Sequence, residues 1–319
     1  MLLSPLALAF GLVNRPPVVE LFKPGPVDTV LACPTTKSPL MPEKTVLAGV
    51  LREVNVAAEG GTRYPVVRLR DGSTYADLHA TAGRTAEGRE GVLSWDELTD
   101  ELRAAWNTRT QVGTFRSPFT AFLYERGWRQ NFRNAGFPGV DKEYREAAAF
   151  FCERGVVVDL SCGTGLMTRR LVRSARFDRV LALDYSEAML TETARRFRAE
   201  RIDTSSLTLA RADVAQLPLR PSSVDAVHAG AALHCWPEVE AGLREIHAAL
   251  KPGGKLFATT FLTQAAPFVG ATGEGGGSFR FFRLTELQGL LRDAGFKSVE
   301  VRQEGLACAV VRAEKLAEK

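Results

Sequence analysis

The sequence predicts an α/β fold, a parallel sheet covered on both faces by helices, and three observations carry that expectation. Short apolar runs rich in β-branched residues, VVVDL from 156 and RVLALD from 179, alternate with amphipathic stretches of helical length. Between the first run and its helix lies a small turn, SCGTG, spanning Ser161, Gly163 and Gly165. There backbone N–H groups and a helix N-terminus can approach a ligand with no side chain between. The second run ends in Asp184. In a doubly wound sheet a carboxylate at that strand end can accept both hydroxyls of a ribose. A nucleoside-bearing ligand is the chemistry implied.

The remaining elements follow in order. LMTRRLVRSA reads as a helix after the glycine turn, and SEAMLTETARRFRAE as a helix after Asp184, with Met189, Thr193 and Phe197 on one face. A third strand, LTLARAD, ends at Asp213, placed to accept an adenine amino group, and VAQLPL, opening at Val214, leaves the sheet. The fourth strand, VDAVHAG, runs to Gly230, and the next helix carries Val239, Leu243, Ile246 and Leu250 as an amphipathic stripe. Lys251-Pro252-Gly253-Gly254 is expected as a tight turn into a fifth strand, KLFATTF. LTELQGLLRDAGF supplies a last helix, and KSVEV and LACAVVRA close the sheet.

The glycine spacing argues against a dinucleotide. G-x-G-x-x-G makes room for a pyrophosphate, whereas here Gly163 and Gly165 are followed by Thr168 in the third slot, and Ser161 stands where a glycine pair one step earlier would begin. Asp159, just before the turn, would repel a pyrophosphate but suits a ligand with a cationic amine. S-adenosylmethionine has an ammonium, a sulfonium, a ribose and an adenine, and no phosphate. In order, DLSCGTG, LALDYSEAML, RADVAQLPL, VDAVHAGAALHCW and LKPGGKL resemble the class I S-adenosylmethionine-dependent methyltransferases. The likeness is to the type-11 group, which includes ubiquinone and menaquinone methyltransferases. FRSPFTAFLYERGWRQNFRNAGFPG (115–139), with DAVHAGAALHCW, is similar to a plastid-associated methyltransferase family of plants and algae. The resemblance covers residues 111–319 and implies a Rossmann-like seven-stranded sheet over 151–319 behind a helical cap at 115–150.

Position and resemblance together assign site residues. Cofactor binding falls to Asp159, Ser161, Cys162, Gly163, Gly165, Asp184, Tyr185, Met189, Asp213, Val214 and Gly230. Within that set Asp159 lies near the methionine amine, Asp184 takes the ribose, Tyr185 faces the adenine and Asp213 holds its amine. Each carboxylate also reads as a plain strand-end cap, and Cys162 as a compact space-filler in the turn. His234, after the fourth strand, is the candidate to contact the acceptor and take a proton from it; the alternative is a packed loop histidine beside Trp236. His228 and His247 read as structural. Tyr124, Trp128 and Arg129, on an amphipathic helix ahead of the first strand, and Trp236 are candidates to line the acceptor pocket. The alternative for that helix is simple packing on the sheet. The glycine-rich stretch 271–279 is either a lid or a surface loop.

The N-terminal third has a different texture. Residues 1–26 are apolar and resemble a targeting remnant, although a basic leader is missing. Residues 27–80 are similar to a small zinc ribbon that has lost its ligands: Cys33-Pro34 remains, but Thr36 occupies the second ligand position. One thiolate does not hold a structural zinc, so a β-rich shape without metal is expected. Residues 81–110 read as a linker and a short helix whose Ser94 and Glu97 form a capping box.

Composition sets the outer bounds. A length of 319 residues suggests about two domains, and 45% hydrophobic residues suffice for a core. The net charge of +4 is mild, and no nucleic-acid partner is expected. Five scattered cysteines argue against a disulfide framework and fit a reducing compartment. No apolar run is long enough to span a bilayer, which leaves peripheral association with membrane or plastid lipid open. The reading is an enzyme that methylates a small, apolar, quinone- or lipid-like acceptor with S-adenosyl-L-methionine, in the chloroplast or alternatively the cytoplasm. The competing reading is a non-catalytic protein that keeps the cofactor-binding fold.

Overall fold

The computed structural model describes residues 30–47, 50–57, 63–69, 73–78, 136–265 and 279–317. The expected targeting remnant, the linker with Ser94 and Glu97, the residues Tyr124, Trp128 and Arg129, and the glycine stretch up to residue 278 lie outside them.

Seven strands form the core sheet. They are β5 (Val156–Leu160), β6 (Arg179–Asp184), β7 (Leu207–Arg211), β8 (Val224–Ala229), β9 (Leu250–Phe261), β10 (Ser298–Glu304) and β11 (Cys308–Glu314), in the order β7-β6-β5-β8-β9-β11-β10. Pairing is parallel from β7 to β9 and antiparallel for β9, β11 and β10. Strand order reverses between β5 and β8, and the crevice beyond the carboxyl ends at such a reversal is where open α/β sheets bind ligands.

The continuous apolar runs are explained by burial on both faces. α1 (Val140–Phe150), α2 (Leu166–Arg173) and α3 (Glu187–Ala199) cover one face, burying Ala147, Met167, Leu171, Leu190 and Phe197 with Val157 and Val180. α4 (Val239–Ala249) and α5 (Leu284–Asp293) cover the other, burying Leu243, Ile246, Leu287 and Leu291 with Val158 and Leu181. α2 starts at Gly165, which sits at φ 75° with no capping side chain. α3 starts at Ser186, whose hydroxyl accepts the Met189 N–H.

Two local expectations are corrected. β7 ends at Arg211, so Asp213 stands beyond the strand in the following turn. The sequence Lys251–Gly254 is not a turn ahead of β9 but a bulge inside it: Val224 pairs with Leu250 while Ala226 pairs with Lys255. Gly253 takes φ 78° there, and its N–H donates to the Lys315 carbonyl. The glycines serve an excursion that the C-terminal end of the chain satisfies.

The N-terminal residues extend this sheet. β1 (Leu40–Leu47), β2 (Val50–Ala57), β3 (Arg63–Arg68) and β4 (Thr74–Asp77) form an antiparallel series, and β4 joins β7 in parallel through Ala76 and Asp77. An ion pair of 3.2 Å between Asp77 and Arg211 closes the seam. Leu31, Leu40, Tyr64 and Leu78 pack into the same core as Leu217, Leu219 and Leu243. The turn at Cys33 is held by hydrogen bonds: Thr36 donates its N–H to the Cys33 sulfur, which lies 3.2 Å from the Tyr64 hydroxyl. A shared core predicts shared unfolding. Leu78→Ala is expected to cost about 2–5 kcal/mol and to leave a single transition in chemical denaturation. A separate transition for the N-terminal strands would show them to be an independent unit.

Candidate functional site

The site is built around the glycine turn. Ser161 adopts φ 56° and Gly163 φ 57°, so the chain leaves β5 through a left-handed bend. Asp184, at the end of adjacent β6, locks this bend: its carboxylate accepts the Gly163 N–H and the Ser186 N–H, both at 2.8 Å. Burial pushes its pKa up to about 6, although those backbone donors pull the other way. Gly165 is needed for packing, because a Cβ there would lie 2.7 Å from Thr193 Cγ2 and bar α3 from the turn.

The cleft above the strand ends is lined by Leu160, Ser161, Gly163 and Asp184–Ser186, by Met189, by Ala212–Ala215, and by Gly230–Ala232 with His234–Glu238. Eight of the predicted cofactor positions meet here, Ser161, Gly163, Asp184, Tyr185, Met189, Asp213, Val214 and Gly230, with the acceptor candidates His234 and Trp236 beside them. Asp213 accepts the Ala215 N–H at 2.9 Å, which turns its carboxyl back toward the chain as it leaves β7. The guanidinium of Arg211 lies over the Tyr185 ring, 5.5 Å from its centre, and fixes that ring at the rim. Trp236 donates its indole N–H to Ser161 Oγ at 3.0 Å, tying the post-β8 loop to the turn. Three carboxylates, Asp184, Asp213 and Glu238, line the cleft, and among the lining residues no lysine or arginine appears.

Three predicted cofactor residues are not on that wall. Gly165 caps α2, as described. Cys162 is buried behind the turn, and burial with the nearby Asp184 and Asp159 charges raises its thiol well above the ordinary range. Burial behind the turn suits it to filling space there. Asp159 is 1% exposed and turned beneath the floor, where Thr168 Oγ1 donates to it at 2.5 Å and His228 Nδ1 approaches at 2.9 Å. Its carboxylate is therefore engaged beneath the cleft rather than on the lining.

Asp159 belongs to a buried polar chain that sequence reasoning missed. The other ring nitrogen of His228 lies 3.2 Å from Glu143 Oε1, and Glu143, on α1, is wholly buried. Thr259 on β9 donates to the same Oε1 at 3.0 Å and accepts the Ala231 N–H at 2.7 Å. Burial alone would lower the His228 pKa, but the two flanking carboxylates outweigh it and raise it to about 9. His228 and Asp159 are register partners on neighbouring parallel strands. Only knowledge of that register could have paired them. Glu143 gave no sign, since an acid in the first turn of an amphipathic helix reads as solvated.

His234 lies in a short 3₁₀ turn, Leu233–Cys235, 5% exposed. Its ring packs edge-on against Phe261 at 4.8 Å, its backbone N–H donates to Thr260 Oγ1, and burial lowers its pKa to about 3. It faces the cleft as a neutral, weakly basic imidazole.

Comparison with known proteins agrees with this architecture. Residues 158–258 match the family model of the methyltransferase domain. Two uncharacterized methyltransferases of Arabidopsis thaliana, both chloroplastic by name, are 48% identical over 256 residues and 49% identical over 186. The alignments take in 78% and 57% of this chain and 65% and 52% of those proteins, so the chain spans between half and two thirds of their length. A ubiquinone/menaquinone biosynthesis C-methyltransferase of Rhizobium rhizogenes is 28% identical over 137 residues, 43% of this chain and 48% of that protein.

The His228 pair makes a pH signature. A histidine whose folded pKa is raised from 6.5 to about 9 stabilises fully below pH 6.5. That contribution, on the order of 3 kcal/mol, declines as pH rises and is gone above about 9. Urea denaturation between pH 6 and 9.5 should show this loss in the wild type and a much flatter profile in His228→Gln; equal slopes would contradict the charged histidine.

Proposed function

We propose that this chain, which carries a class I S-adenosylmethionine-dependent methyltransferase domain, transfers a methyl group to a small, apolar acceptor of quinone or lipid type. The observation that carries the cofactor assignment is the sign of the cleft. Among the described residues its lining presents three carboxylates and neither lysine nor arginine, which suits a ligand with two positive centres better than a pyrophosphate. Asp184 accepts the ribose hydroxyls, Asp213 takes the adenine amine, and the Tyr185 ring flanks the base. The Gly163 bend leaves room for close backbone approach. Met189 and Val214 supply apolar contact beside the base.

Bound there, S-adenosylmethionine supplies a sulfonium methyl group for in-line displacement, chemistry that asks the protein for positioning and exclusion of water more than for acid–base help. The chain's own groups agree with that division of labour. His234, held neutral among Phe261 and Phe279, serves as part of an apolar acceptor wall better than as a base. Trp236 and Pro237 continue that wall. The apolar acceptor is further supported by the quinone methyltransferase among the relatives, and a plastid setting by the two chloroplastic names.

Asp184→Ala is expected to weaken S-adenosylmethionine binding by about ten- to a hundred-fold in calorimetry, the cost of one charged hydrogen-bond partner. Wild-type affinity should also fall as pH drops through about 6, where Asp184 takes up a proton. Unchanged affinity in the variant would remove Asp184 from the site. The acceptor class is tested by incubating the protein with methyl-labelled cofactor and a plastid lipid extract. Label in a solvent-extractable product is expected; label only in protein or RNA would overturn the acceptor assignment.

A further inference from the structure

The N-terminal strands reach the cleft through Arg211. Three residues stand side by side in register at the carboxyl end of the sheet: Asp77 on β4, Arg211 on β7 and Asp184 on β6. Asp184 is on the cleft lining, and Tyr185, which follows it there, flanks the base in the reading above. Arg211 makes three contacts with one planar group. Its Nε donates to the Tyr185 carbonyl at 3.1 Å, and its guanidinium carbon lies 5.5 Å from the centre of the Tyr185 ring. Its Nη1 donates to Asp77 Oδ2 at 3.2 Å. The first two contacts hold the main chain and the ring of Tyr185, and the third holds the guanidinium itself.

A guanidinium is a rigid fork, so fixing one edge of it on a carboxylate also fixes the plane that covers the ring. Asp77 is placed for that task. It is buried, where solvent screens the pair little, and its strand is tied to the same arginine, because Leu78 donates its N–H to the Arg211 carbonyl at 3.0 Å. Two residues earlier, on the same face of β4, stands the buried Tyr75. Burial and the nearby charge of Glu187, the first residue of α3, push its hydroxyl above the ordinary range. Tyr75 and Asp77 thus bracket Tyr185–Glu187, the stretch that joins Asp184 to α3.

We propose that Asp77 is a positioning residue for the cofactor site: by holding the Arg211 guanidinium it sets the Tyr185 ring at the base end of the cleft before the ligand arrives. The proposal rests on the methyltransferase reading above. A ring free to change rotamer must be ordered by the ligand, and ordering it in advance raises affinity without a new contact. β4 is then part of the binding machinery as well as the cover of a sheet edge.

The test is calorimetry of S-adenosylmethionine on the full chain, with urea denaturation in parallel. Asp77→Asn keeps the shape and removes the charge that holds Arg211, and affinity should fall about three- to ten-fold. S-adenosylhomocysteine carries the same adenosine and should lose the same factor. Arg211→Lys keeps a cation opposite Asp77 without the planar fork and should show a similar loss, which covers the case in which Asp77→Asn does not fold. The deciding readout is a double-mutant cycle: with Tyr185→Leu already in place, Asp77→Asn should change affinity by less than about two-fold. A merely structural Asp77 would lower the urea midpoint and leave affinity unchanged, or lower affinity equally in both backgrounds, and either result overturns the proposal. Failure of the wild type to bind S-adenosylmethionine would instead overturn the methyltransferase reading, and the proposal with it.

Discussion

An imidazolium enclosed by two carboxylates in the middle of a parallel sheet is the constraint around which the rest of the molecule is arranged. Burying three ionised groups is costly unless every one is partnered. Here the partners come from five separate elements: Glu143 from α1, Asp159 from β5, Thr168 from α2, His228 from β8 and Thr259 from β9. The elements cannot shift independently without stranding a charge. The same constraint reaches the surface of the cleft, because Gly230 must lack a side chain for Glu143 and His228 to occupy the space beneath it.

Directly above, the cleft is organised by a second carboxylate with a different task. Asp184 bridges the glycine bend to the start of α3 through two backbone N–H groups, and it remains on the lining. The turn is thereby preformed, with its left-handed residues held from the side. On the opposite wall, the indole bond from Trp236 to Ser161 links the loop after β8 to the same turn. The two walls of the cleft therefore share one reference point.

The N-terminal strands solve a different problem. β7 would otherwise be an open edge, and β4 covers it, while Leu31 and Leu78 complete the hydrophobic layer beside Leu217 and Leu219. The Cys33 turn keeps a compact shape through Thr36, Ser38 and Tyr64, and Lys37 anchors it by donating to the Leu217 carbonyl and pairing with Glu245. The N-terminal strands are thus joined to the sheet through backbone pairing and side-chain burial.

The order of strands and helices from β5 to β11, the glycine-containing turn after β5 and the carboxylate at the end of β6 were legible in the residues alone, while Asp213 stands past the end of β7 rather than on it. Each is a local matter of periodicity, backbone freedom or charge at a strand end. The fate of Asp159 was not legible. In the sequence it is an acid ahead of a ligand-binding turn, but the direction of its side chain depends on His228 standing beside it across the sheet and on Glu143 arriving from α1. His234 followed the same rule: its position after β8 was readable, whereas its neutrality came from the Phe261 and Phe279 rings packed around it. Local sequence determined where the chain turns and what it presents there. Which charges face the ligand and which are buried beneath it was decided by tertiary contact, because desolvation and pairing act only between residues that folding brings together.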